Sequence, residues 1–189
     1  LSLPPDAFIF GNLGEIKPYK QLEFIVDAFN AFAAAAPDPK PLLVLAGKPG
    51  PPEYVEAIRA RAGEHVRIHA EEIPDADVPL WLGAMDAAVF AFRDIWMSGS
   101  VMLALSYAVP AIAPDRGCLP EYVFEEDTGF LYEHGNAGAL RDCLARAHAS
   151  PLLPHLRYMC AAHAEKWTVE SVAARFEQLY AALANGNEA

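Results

Sequence analysis

Short apolar runs alternate with amphipathic segments along most of the chain. Residues 7–10, 41–46, 66–69, 87–92, 110–113 and 129–132 are mostly apolar and short enough to be buried strands. Between them Leu22, Ile25, Val26, Phe29 and Ala33 recur at helical spacing, and Tyr54, Ala57, Ile58 and Arg61 do so more weakly. Strands buried on both faces and joined by helical crossovers require a parallel sheet covered on both sides. The pattern therefore predicts an α/β fold, a doubly wound parallel sheet of six strands with helices on both faces. After Tyr132 only helical patterns follow, over 136–150, 153–166 and 168–183. Asn136 and Thr168 stand where caps belong, and the last run, through Val172, Phe176, Leu179, Tyr180 and Leu183, is expected to pack across the domain edge. LSLPPD at the start and NGNEA at the end read as loose ends.

The segment from Arg93 to Pro114, RDIWMSGSVMLALSYAVPAIAP, reads as strand end, small-residue turn, helix and strand. Ser98, Gly99 and Ser100 open that helix at the carboxyl end of a strand, where doubly wound sheets bind their ligands. A helix start presents unpaired N–H groups and a positive dipole end, and the glycine admits an anion closely. The turn is thus a candidate phosphate site; the plainer reading is that Ser98 caps a core helix.

Composition narrows the ligand. The 189 residues are 53% hydrophobic, enough for one domain with a buried core, and the formal charge of -11 excludes a general nucleic-acid binder. Any phosphate must be held by a local arrangement. No apolar run approaches the roughly 18–20 residues of a membrane span, so a cytoplasmic location is expected. Cys118, Cys143 and Cys160 form neither a disulfide framework nor a metal-ligand spacing, and the six histidines show no HExxH, so no metal is expected. Asp75-Ala76-Asp77 precedes an apolar helical run and reads as first-turn capping and not as a metal motif. GxSxG, P-loop and GxGxxG motifs are absent, which removes hydrolase, NTPase and dinucleotide readings.

The ordered segments FGNLGEIKPYKQLEFIVDAF, LLVLAG, VRIHAEEIP, DAAVFAFRDIWMSGSVMLALSYAVPAIAPDRGCLPEYV and TGFLY resemble the C-terminal half of GT-B glycosyltransferases of the family 4 type. The resemblance covers nearly the whole chain. It implies one Rossmann-like domain over 1–189 that grips a UDP- or GDP-sugar, without metal or other cofactor, in a retaining transfer for polysaccharide biosynthesis. A glycan or lipid-linked acceptor would be held by an N-terminal domain outside this chain, and any membrane contact would come through that half. The start at Leu1, leading directly into a strand, fits a segment of a longer protein.

Carried over by position, Lys20, with Lys17 a turn earlier, would place positive charge near the donor diphosphate, and Arg93 is a second candidate cation. An ion pair with Asp94 is the alternative for Arg93. Glu121 is expected to orient a sugar hydroxyl or to face a helix dipole, and the backbone from Ala70 to Ile73 to meet the nucleobase. The family's pair of glutamates is replaced by Ile95 and Leu103, and a leucine accepts no ribose hydroxyl. Two alternatives follow: a non-catalytic module of the same fold, and a sugar-nucleotide epimerase. A flavodoxin-like signalling domain lacks its aspartate, since Gly11, Asn12 and Leu13 end the first strand.

Overall fold

The computed structural model describes residues 3–184; the start of LSLPPD and all of NGNEA lie outside them. Among these residues, six strands form one all-parallel sheet: β1 (Ile9–Leu13), β2 (Leu42–Ala46), β3 (Val66–His69), β4 (Ala87–Val89), β5 (Ala111–Pro114) and β6 (Gly129–Tyr132). Their spatial order is β3-β2-β1-β4-β5-β6. The direction of progression reverses between β1 and β4, and such a reversal opens a crevice beyond the carboxyl ends of the two strands. β1 runs further than the apolar run 7–10 suggests, because Gly11, Asn12 and Leu13 continue in register with Val44, Leu45 and Ala46. A glycine and an asparagine read locally as a turn; here the parallel neighbours on both sides hold them extended.

Helices cover the two faces. Alternate residues of β1 and β2 point to opposite sides, so Phe10, Leu43 and Leu45 meet α1 (Leu22–Ala35), α2 (Pro52–Arg61) and α5 (Ala137–Ala149) through Ile25, Phe29, Ile58 and Leu144. Leu13 and Ala46 face the other layer, where α3 (Val78–Gly83), α4 (Gly99–Ser106) and α6 (Leu153–Ala164) contribute Leu82, Val101, Leu105 and Cys160. Phe29 is fully buried and sits edge-on to Phe10 and Phe32, with ring centroids 6.0 and 6.1 Å apart. Burial pushes the Cys143 and Cys160 thiols up to about 11 and about 12, which leaves them unreactive packing groups.

The expected caps at Asn136 and Thr168 form: each side chain accepts an N–H three residues on, from Ala139 at 3.0 Å and Ser171 at 3.1 Å. Asp75-Ala76-Asp77 does not cap by its side chains. It forms a 3-10 turn that enters α3 with Asp77 already helical, at φ -95° and ψ -14°, and a cap needs extended backbone.

The final helix α7 (Val169–Ala184) also departs from expectation. It buries none of its residues, and Val169, Phe176, Leu179, Tyr180 and Leu183 stay exposed. Its amphipathic pattern marks a helix with an apolar face, and that pattern is silent on what covers the face. Phe29→Ala is expected to cost about 3–5 kcal/mol in urea unfolding. Phe176→Ala on α7 should change stability by no more than about 0.5 kcal/mol.

Candidate functional site

A cleft of about 550 Å³ lies at the carboxyl ends of β1, β2 and β3, bounded by α4 and lined by Leu13, Gly14, Glu15, Gly47, Lys48, Glu72, Ile73, Val78, Gly99, Ser100 and Leu103. Two glycines make its floor. Gly47, at φ 142°, lies so close to the Gly14 carbonyl that a Cβ there would meet the oxygen at 2.1 Å. Gly14, at φ 138°, leaves open a point that lies 2.6 Å from Lys20 Nζ and 3.4 Å from Ser100 Oγ. An ammonium and a hydroxyl therefore flank the same bare stretch of backbone, and any side chain on residue 14 would separate them.

Lys20 ends a 3-10 turn (Pro18–Lys20) tied by its N–H to the Lys17 carbonyl at 3.0 Å, and Gln21, in the left-handed region at φ 46°, turns the chain into α1. This bend drives the lysine inward, so that it is only 5% exposed. Among the described residues its Nζ has no hydrogen bond or ion pair, yet it is not sealed from solvent. Burial pulls the Lys20 pKa below the ordinary 10.5, and the charge of Lys17 adds to that while Glu15 opposes it. A buried cation without a counterion is a costly arrangement that an arriving anion relieves.

Across the cleft, Ser98 shapes the start of α4. Its Oγ accepts the Val101 N–H at 3.3 Å, and its own N–H donates to Tyr122 Oη at 3.1 Å. Ser98 is thus buried as a cap, with its amide already used, and is not among the residues lining the cleft. Gly99 and Ser100 are the residues of this turn that line the cleft, at the positive end of the α4 dipole. A Cβ on Gly99 would meet nothing within 4 Å, so space for an anion exists there.

A family model described as glycosyl transferases group 1 matches residues 4–150. The chain belongs to this family. The GDP-mannose:glycolipid 4-beta-D-mannosyltransferase of Xanthomonas campestris pv. campestris is 27% identical over 148 residues, which are 76% of the chain and 41% of that relative. The chain thus spans less than half the length of this relative. Sucrose-phosphate synthase of Thermosynechococcus elongatus superposes with a TM-score of 0.80 at 23% identity, over 98% of the chain and 47% of that protein. Anabaena Alr3699/HepE, solved in complex with UDP, gives 0.79 at 18% identity over 94% and 49%. The group 1 chain has the Rossmann-like fold of the C-terminal half of a GT-B protein.

The other residues singled out in the group 1 chain are dispersed. Ile73 lines the cleft. Lys17 stands outside the lining residues and is paired with Glu15 at 2.5 Å. Arg93 is exposed, and its backbone N–H donates to the Tyr19 carbonyl at 2.9 Å. The alternative for Arg93, an ion pair with Asp94, is not formed among the described residues; Asp94 pairs instead with Arg116 at 3.4 Å. Glu121 is exposed on the turn after β5, away from the cleft lining. Leu103 does line the cleft and is 38% exposed. Sequence reading missed Lys48 as a lining residue. The KPG loop carries no pattern of its own, and only the placement of β2 between β1 and β3 brings this lysine to the site. Among the described residues no helix is long and apolar enough to cross a membrane, and no group of three or more His, Cys, Asp or Glu could hold a metal ion.

Lys20→Met should hold or raise the melting temperature of the ligand-free chain while weakening diphosphate binding by about 1.5–3 kcal/mol in calorimetry. Diphosphate affinity of the unmutated chain is expected to fall as pH rises through the lowered Lys20 pKa, below 10.5, as the ammonium is lost. That step should vanish in Lys20→Met. Without ligand the sign is opposite: the buried charge costs stability below that lowered pKa, and the cost shrinks as pH rises from there to the ordinary 10.5.

Proposed function

We propose that this chain is the donor-binding half of a nucleotide-sugar-dependent glycosyltransferase that takes a GDP- or UDP-sugar and passes the sugar to a glycan or lipid-linked acceptor held by a partner domain. The observation that carries this reading is the buried Lys20 ammonium without a counterion, set beside Ser100 and the free amides that start α4. A pyrophosphate fits that arrangement in charge and in donor supply. The mannosyltransferase relative supports a nucleotide-sugar donor by its name, and the UDP complex of HepE supports a nucleotide in this fold.

In the transfer, the bond from the sugar's anomeric carbon to the diphosphate breaks and negative charge builds on the leaving phosphate oxygen. In this reading Lys20 and the amides of Gly99 and Ser100 meet that oxygen, so their stabilisation increases as the charge develops and needs little reorganisation. This role requires no metal. Retention of the anomeric configuration is what the family likeness implies, whereas the name of the mannosyltransferase specifies a β linkage. Proton NMR of the product's anomeric signal, read against the donor's, distinguishes the two outcomes.

A second reading rests on Leu103, which faces the cleft with no capacity to accept a ribose hydroxyl. In that reading the domain holds a nucleotide and transfers nothing. Calorimetric titration with GDP and UDP should detect binding of at least one of them, and Gly99→Leu should abolish it without lowering the melting temperature. No binding of either at millimolar concentration overturns the donor-site proposal. Binding with no sugar transfer by the full-length protein favours the non-catalytic reading, and a changed nucleotide-sugar without acceptor favours an epimerase.

A further inference from the structure

The cleft residues fall in the order of the strands that carry them. Gly99 and Ser100 follow β4, Gly14 and Glu15 follow β1, Gly47 and Lys48 follow β2, and Glu72 and Ile73 follow β3. With neighbouring strands about 4.8 Å apart, the α4 end and the β3 end are separated by about 14 Å. A diphosphate held at Lys20 and Ser100 therefore directs the rest of the nucleotide toward β3. At that end Ile73 and Val78 supply apolar surface for the faces of a base ring, and Lys48 and Glu72 stand at the edge, with Nζ 4.0 Å from Oε2.

We infer that Lys48 and Glu72 select guanine, so that the donor is a GDP-sugar; this rests on the nucleotide site proposed above. The exposed edge of guanine presents, side by side, one acceptor (O6) and two donors (N1–H and N2–H2). An ammonium beside a carboxylate is the matching set: Lys48 donates to O6, and the two Glu72 oxygens accept from N1–H and N2–H2. Uracil offers a single N–H between two carbonyls, so one carbonyl is forced against the carboxylate. Adenine offers one donor and one acceptor and leaves one carboxylate oxygen without a partner. Glu15, the other carboxylate in the lining, is engaged by Lys17 at 2.5 Å. Glu72 is free to turn toward a base, since its side chain is 75% exposed and its contact with Lys48 is long.

Titration of the chain with GDP, UDP and ADP tests this directly. GDP is expected to bind roughly tenfold or more tightly than the other two. Glu72→Gln should remove most of that preference: its amide nitrogen meets the guanine donors and weakens GDP binding, and UDP affinity should rise because the uracil carbonyl no longer faces a carboxylate. Lys48→Met should also weaken GDP selectively. Both positions are exposed, so unchanged melting temperatures will show that the fold is intact. Equal binding of GDP and UDP by the unmutated chain, or an unchanged GDP preference in Glu72→Gln, overturns the inference. The outcome is separable from the nucleotide site itself: GDP binding lost in Gly99→Leu but undiminished in affinity in Glu72→Gln refutes base selection alone, and no nucleotide binding at all refutes both.

Discussion

The structure turns on the pairing of β1 with β4, the two strands at which the sheet reverses its order. The ladder between them is short, Phe10 opposite Ala87 and Gly11 opposite Ala88. Side chains extend it at both ends. Asp86 accepts the Ile9 N–H at 2.8 Å and is itself held by Arg157 at 3.2 Å, and Asn12 Nδ2 donates to the Val89 carbonyl at 2.7 Å. Asn12 is 3% exposed, so this bond closes a polar gap in an apolar layer. Because the crossovers from the two strands leave toward opposite faces, nothing fills the space beyond their carboxyl ends, and the cleft is the consequence.

Charge gives that cleft its character. A chain of formal charge -11 repels a diphosphate at long range, and the group 1 chain offsets this with a buried cation, Lys20, that makes no ion pair among the described residues. The route to that cation is a backbone device: the turn at Pro18–Lys20 carries the lysine under Gly14, and the absent side chain at Gly14 lets its ammonium reach the same point as Ser100. The neighbouring Lys17 is not equivalent, since Glu15 neutralises it at the surface. Two lysines three residues apart in one motif thus have different roles, decided by which of them the turn buries.

The SGS turn shows a similar division. Ser98 secures the start of α4, with Tyr122 holding its amide and Val101 its hydroxyl. Burial raises the Tyr122 phenol pKa, which keeps it neutral as the acceptor of that amide. Gly99 and Ser100 are left to face the cleft. The capping and anion readings of this tripeptide are therefore compatible, because they belong to different residues of it.

Period-two and period-3.6 hydrophobic patterning determined the alternation of strands and helices, the parallel sheet and its two helical layers, since burial on both faces leaves few other ways to cover a strand. Local chemistry determined the caps at Asn136 and Thr168 and located the helix start at Gly99 and Ser100. The tertiary structure decided the rest. The length of β1, the burial of Lys20, the pairing of Asp94 with Arg116 and the approach of Lys48 to Glu72 all depend on residues distant in the chain. It likewise decided that the apolar face of α7 stays exposed. A one-dimensional pattern records how apolar each position is and at what spacing; which surface meets which is set only when strand order and crossover direction bring separate segments together.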